Sequence, residues 1–154
     1  MTSDFIIRGG IVILSFAGLV NAFYFTFAYY GRIKKARWVP AMLCAREGSS
    51  CVTVVQTPYA RVFGVPNSLL GILYYLALIG WGFCGESVGP RVVVGGHEVA
   101  VSTLALVAAS AGTVLLGFYL IYSLIEKLHT HCPLCYLGHA INATILILLL
   151  LAIW

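Results

Sequence analysis

Charge is what this chain has least of. Of its 154 residues, 9% are Asp, Glu, Lys or Arg, against roughly a quarter in an ordinary soluble domain. So few charges exclude a solvated globule, and a hydrophobic content of 61% is that of a membrane protein. A nucleic-acid surface is lacking too. Arg32, Lys34, Lys35, Arg37, Arg46 and Arg61 fall in one segment with no other binding surface to extend them, so they read as a solvated juxtamembrane cluster. The signs of a cleaved leader are also missing. The first apolar run has Asp4 and a single Arg8 on its flank, exceeds the ~7–15 residues of a signal core, and meets no small-residue cleavage site. It is read as a retained helix.

What the chain does have is four long uncharged stretches: Gly9 to Tyr30, Asn67 to Gly85, Val99 to Ile125, and Cys132 to Trp154. Each approaches or exceeds the ~18–20 residues that cross a hydrocarbon core of ~30 Å as a helix. The expected fold is an all-α membrane protein, a four-transmembrane-helix bundle in a single domain over residues 1–154.

Helix 1 ends in an aromatic run, Phe23 to Tyr30, suited to the headgroup level. Asn21 inside it reads as an interhelical hydrogen bond. The loop from Gly31 to Pro66 is long for a compact protein and therefore a functional suspect. Within it, Gly48, Ser49 and Ser50 give turn chemistry between Cys44 and Cys51, so these two thiols can close a small loop. The punctuated apolar segment from Val52 to Pro66 is expected to lie at the interface as a short helix or re-entrant piece, a lid over the bundle. Asn67 or Ser68 caps helix 2. Cys84, at the far end of helix 2, reads as a packing cysteine. Gly89 to Ser102 suggests a small hairpin about Gly95-Gly96. In helix 3, small residues at Ala109, Thr113 and Gly117 are expected to let a neighbouring helix approach closely.

Of the five cysteines, Cys132 and Cys135 occupy the most informative setting. Pro133 suits the first position of helix 4, where its missing N–H costs nothing. The two thiols then lie one turn apart on one face, and the helix N-terminus favours thiolate over thiol. With four spans, this pair and the Cys44/Cys51 loop fall on the same side of the membrane. Two dithiols so placed suggest a relay: a loop pair trading electrons with a soluble protein, and a fixed pair trading with something in the membrane. Two stapling disulfides form one rival, though they leave unexplained why a disulfide should sit within one helical turn. A zinc site using His129 and His131 is another, but its ligands are too compressed for the usual spacing. Those histidines are expected to be exposed or to help stabilise a thiolate.

Farther along helix 4, Cys135, His139 and Asn142 form one stripe at i, i+4 and i+7 on an otherwise apolar helix. An ionisable residue at that depth is a functional candidate. Apolar walls, a few hydrogen-bonding groups and a nearby thiolate describe a pocket for a quinone ring.

The order of these features, a Cys pair after helix 1, Asn67-Ser68 opening helix 2 and Cys132-x-x-Cys135 opening helix 4, resembles the vitamin K epoxide reductase family over nearly the whole chain. The resemblance implies a four-helix bundle holding a quinone of menaquinone or ubiquinone type. Electrons would pass from a thioredoxin-like or DsbA-like partner to Cys44 and Cys51, then to Cys132 and Cys135. Cys51 would form a mixed disulfide with Cys132, and Cys135 would be the thiolate meeting the quinone. Asn67 matches an asparagine that hydrogen-bonds a quinone carbonyl, and Thr57 a hydroxyl-bearing lid position. His139 stands where the animal enzymes carry a tyrosine against the ring, a departure that weighs against epoxide reduction. Many bacterial members carry a fused thioredoxin domain; with none here, the partner is expected to be a separate protein. The expected activity is thus quinone-dependent thiol oxidation in a multi-pass cell-membrane protein, the alternative being a quinone or quinone-epoxide reductase. The basic cluster in loop 1–2, set against Arg8 and Arg91 opposite, predicts that both Cys pairs face the cytoplasm. That suits a hyperthermophile, whose intracellular proteins are rich in disulfides.

Overall fold

Residues 2–32, 50–62, 64–84 and 89–153 are described in a computed structural model of the chain. Among them, four helices are long and apolar enough to cross a membrane. The first is α1 (Thr2–Tyr29). A short α2 (Ser50–Gln56), a 3-10 turn (Pro58–Ala60) and a hairpin of β1 (Arg61–Val62) with β2 (Val65–Pro66) lead into α3 (Asn67–Cys84). The hairpin of β3 (Arg91–Val94) and β4 (His97–Ala100) precedes α4 (Val101–Tyr122), and α5 (Pro133–Ile153) closes the bundle.

α1 is the central helix, packed along α3 and α5, while α5 also packs along α4 and α3 meets α4 only sparsely. Ile11, Leu78, Ile145 and Leu149 are fully buried between α1, α3 and α5. Phe5, Ile13, Leu115 and Phe118 point outward, as helix faces do when the surrounding solvent is hydrocarbon. At the end away from the lid, Arg8 lies over the Trp81 ring, 5.3 Å from its centroid, and Trp81 Nε1 donates to Thr103 Oγ1 at 3.1 Å. One close approach fixes the bundle's interior. The Tyr75 ring lies so near Gly18 that a Cβ there would fall on it.

The segment expected as a short helix or re-entrant piece is a helix that starts at Ser50, followed by a turn and a hairpin not foreseen from the sequence. α2 seats on α1 and α5 by burying Cys51 and Val55 among Tyr24, Phe25, Ala28, Leu124 and Cys132. Thr26 Oγ1 donates to Ser68 Oγ at 3.0 Å, tying the first turn of α3 to α1.

Several details depart from the sequence expectation. Val99 and Ala100 pair in β4 opposite Val92 and Arg91, so the third span starts at Val101. The turn between these strands is Gly95-Gly96, both at positive φ, which suits glycine. α4 gains an unforeseen π-helical turn at Ser123–Lys127, closed by Leu128 N–H to the Ser123 carbonyl at 3.0 Å. Cys84 is exposed rather than packed. Of the small residues on α4, Gly117 alone makes the expected close approach, to His139 on α5. Ala109 and Thr113 line a cavity instead.

Candidate active site

Pro133 starts α5, leaving Cys132 just ahead of the first turn, where free backbone N–H groups point back toward it. Cys132 Sγ accepts the Cys135 backbone N–H at 3.4 Å. It also receives the Cys135 thiol at 2.7 Å and lies 2.8 Å from Cys51 Sγ. Cys51 and Cys132 are both fully buried under the lid. Cys51 is disulfide-bonded, while Cys132 and Cys135 are free thiols. Cys44 lies outside the described residues.

The Cys132 thiol is held below the ordinary thiol range, chiefly by the hydrogen bond from Cys135. Burial opposes this, and the backbone N–H groups of Cys135 and Leu134 reinforce it. His129 and His131 are exposed; His131 Nδ1 sits 3.2 Å from the Tyr136 hydroxyl, and neither histidine is among the groups that favour the thiolate. Among the described residues no three His, Cys, Asp or Glu side chains gather as a metal site would. Chemically, a buried thiol whose thiolate form is favoured, in contact with a sulfur of a disulfide on one side and a second thiol on the other, is set for thiol–disulfide exchange.

Beneath the thiols opens a cavity of about 320 Å³. Its walls are largely apolar, with Phe25, Leu70, Leu116, Leu120 and Leu124 among them. Cys135, His139 and Asn142 share it, as their common stripe on α5 requires, and Asn67 and Thr57 border it from α3 and the lid. Asn67 is half-buried at the first position of α3. The Thr57 hydroxyl is committed to the lid itself, donating to the Val54 carbonyl at 2.7 Å where α2 ends. His139 tucks its Nδ1 against Gly117, where that nitrogen is enclosed and lacks a hydrogen-bond partner among the described residues.

Among the wall residues, Asn21 and Tyr75 were not assigned to the site from sequence, nor was Gly117, which backs His139 from outside the lining. Asn21 makes the expected interhelical bond, Nδ2 donating to the Leu134 carbonyl at 3.3 Å, and also lines the cavity. Tyr75 gives no local signal, since it acts through a residue on another helix, and Gly117 shows in the sequence only as one of the small residues on α4.

A cavity of this size, apolar except for a few hydrogen-bonding groups, fits a quinone ring. The sequence model of the vitamin K epoxide reductase family matches residues 10–150. The chain belongs to the vitamin K epoxide reductase family. Comparison with curated proteins gives no match. Membership in this family implies membrane oxidoreductase activity that links thiols and quinones.

Proposed function

We propose that this member of the family is a thiol oxidase, taking electrons from a separate thioredoxin-like or DsbA-like protein and delivering them to a membrane quinone of menaquinone or ubiquinone type. The partner's dithiol reduces the Cys44–Cys51 disulfide and leaves as a disulfide. Cys51 thiolate then attacks Cys132 in the Cys132–Cys135 disulfide and expels Cys135 as thiolate. Cys44 resolves the mixed disulfide, which restores Cys44–Cys51 and leaves Cys132 and Cys135 as a dithiol holding two electrons and two protons. A bound quinone supplies the two-electron, two-proton acceptor. Asn67 and His139 are the proposed hydrogen-bonding contacts that hold it, and Thr57 is a proposed lid contact whose own proton goes to the Val54 carbonyl, while the lid covers the thiols.

The observation that carries this reading is Cys132 Sγ, 2.8 Å from Cys51 and 2.7 Å from Cys135, with Cys135 on the wall of an apolar cavity. Purified protein with a reduced thioredoxin-like donor is expected to reduce quinone at a rate that falls to background in Cys135→Ala. Wild-type protein that binds quinone without reducing it would make the cysteines staples and end the proposal.

The site is further proposed to face the cytoplasm, on the strength of the six Lys and Arg residues from Arg32 to Arg61. A membrane-impermeant thiol reagent applied to intact cells is then expected to leave the loop cysteines untouched; their modification from outside would reverse the orientation.

A further inference from the structure

The lower end of the cavity holds a polar pair that none of these roles uses. Tyr75 on α3 donates its hydroxyl to Asn142 Oδ1 on α5 at 2.7 Å. Both residues line the cavity, and both lie near the middle of their spans. Tyr75 follows Asn67 by eight residues, or about 12 Å of helix rise.

That one bond fixes which way the Asn142 amide faces. The Tyr75 ring is pressed on Gly18, whose missing Cβ would sit 2.7 Å from the hydroxyl, and Asn142 Oδ1 is the acceptor within its reach. Turned over, the amide would donate from Nδ2 to the Tyr75 oxygen and take away the acceptor of the Tyr75 proton, so the arrangement that satisfies the phenol's donor puts oxygen toward Tyr75 and nitrogen on the other side. Nδ2 then has no hydrogen-bond partner among the described residues, and it is not one of the polar atoms sealed from any approach. Two other hydroxyls on the wall are committed elsewhere. Tyr74 pairs with Ser110 at 2.8 Å, and Thr57 donates to Val54.

We propose that Asn142 Nδ2 is the second carbonyl-binding donor of the quinone cavity, aimed by Tyr75 and set at the opposite end from Asn67. The two carbonyls of a para-quinone point away from one another, so a site that grips both needs donors at two depths. One wall supplies Asn67 at the start of α3, and the facing helix supplies Asn142 mid-span. Tyr75 is a positioning residue: it touches the amide and leaves the ligand to Asn142. An unpaired N–H in a membrane interior is costly, and a ligand carbonyl relieves that cost. This assignment rests on the quinone reading of the same cavity.

The test is equilibrium binding by calorimetry to fully oxidised protein, so that no electron transfer intervenes. The two probes are a 1,4-naphthoquinone and a ligand with one carbonyl on the same bicyclic frame. Wild type is expected to prefer the dione by about 5- to 10-fold, the worth of one buried neutral hydrogen bond. Asn142→Leu should erase that preference by weakening the dione alone. Tyr75→Phe, which removes one oxygen and no packing volume, should erode it by about 2- to 3-fold because the amide is then free to turn over. The double variant Tyr75→Phe/Asn142→Leu removes both partners and leaves no buried hydroxyl stranded. It should regain thermal stability relative to Asn142→Leu without regaining the preference. An undiminished preference in Asn142→Leu, or an equal loss for both ligands, overturns the assignment. Wild-type protein that binds neither ligand instead overturns the quinone reading on which it stands.

Discussion

Cys132→Ala is expected to cut electron transfer from a protein dithiol to quinone by at least about 10³-fold, more than 4 kcal/mol of barrier. The size of the effect follows from connectivity. Among the described residues Cys132 Sγ is the atom in contact with both Cys51 Sγ and Cys135 Sγ, so removing it breaks the chain of sulfurs rather than weakening a link. A comparison separates this from misfolding. Cys51→Ala should also lose turnover with a protein donor, yet retain it with a small dithiol that reaches the helix pair directly. Cys132→Ala should fail with both donors. If it keeps more than a tenth of the wild-type rate with the protein donor, the route does not run through Cys132. The pH profile carries the same signature. Cys135 and the first backbone N–H groups of α5 hold the Cys132 thiol below the usual range. Exchange of the reduced pair with a small disulfide should therefore stay fast at pH values where an ordinary thiol is mostly protonated, and fall only below them. Cys135→Ala removes the main donor to that sulfur, so its acid limb should move to higher pH.

Gly18→Ala is expected to destabilise the bundle by about 1–3 kcal/mol, the usual cost of forcing volume into a packed interior. The new methyl would meet Tyr75 Cε1, Cζ and the hydroxyl. Neither side yields easily: one is helix backbone at the centre of α1, and the other is a rigid ring held at its tip by Asn142. Thermal unfolding in detergent should show a midpoint several degrees lower. In a Tyr75→Leu background the same change should cost almost nothing, since the ring it collides with has gone. Equal costs in the two backgrounds would mean that Gly18 matters for some reason other than Tyr75.

The four spans could be read from the sequence because hydrocarbon imposes a length that composition records directly. That the two Cys pairs share a side was legible too, for topological reasons, since with four crossings the first and third loops lie together; that Cys51 is the thiol to meet Cys132 came only from the family resemblance. The Cys135, His139 and Asn142 stripe followed from helical period alone. Rotation about each helix axis was harder. An apolar helix looks alike on all faces when both lipid and core are apolar, so nothing in the sequence said that Ala109 and Thr113 border a void while Gly117 bears on His139. Cys84 was misjudged for the same reason, because a thiol at a helix end carries no mark of which way it points. Val99 and Ala100 satisfy helix and strand equally well by hydropathy, and only their pairing with Val92 and Arg91 puts them in the hairpin. Tyr75 was invisible because its value lies in what it does to Asn142 across the bundle.

The spans also differ in length, 18 residues for Asn67–Cys84 and 27 for Val101–Lys127. At 1.5 Å per residue these are about 27 Å and about 40 Å, one shorter than an average hydrocarbon slab and one well beyond it. Against a slab of average thickness the described length of α3 falls slightly short, while α4 with its last turn would lean or protrude. Asn67 is the first residue of the short helix, at the edge the lipid has to meet. With Asn67 as the proposed quinone contact, a sliding of α3 to follow membrane thickness would shift it against the Cys135 thiol on α5 and so link the proposed chemistry to the surrounding lipid.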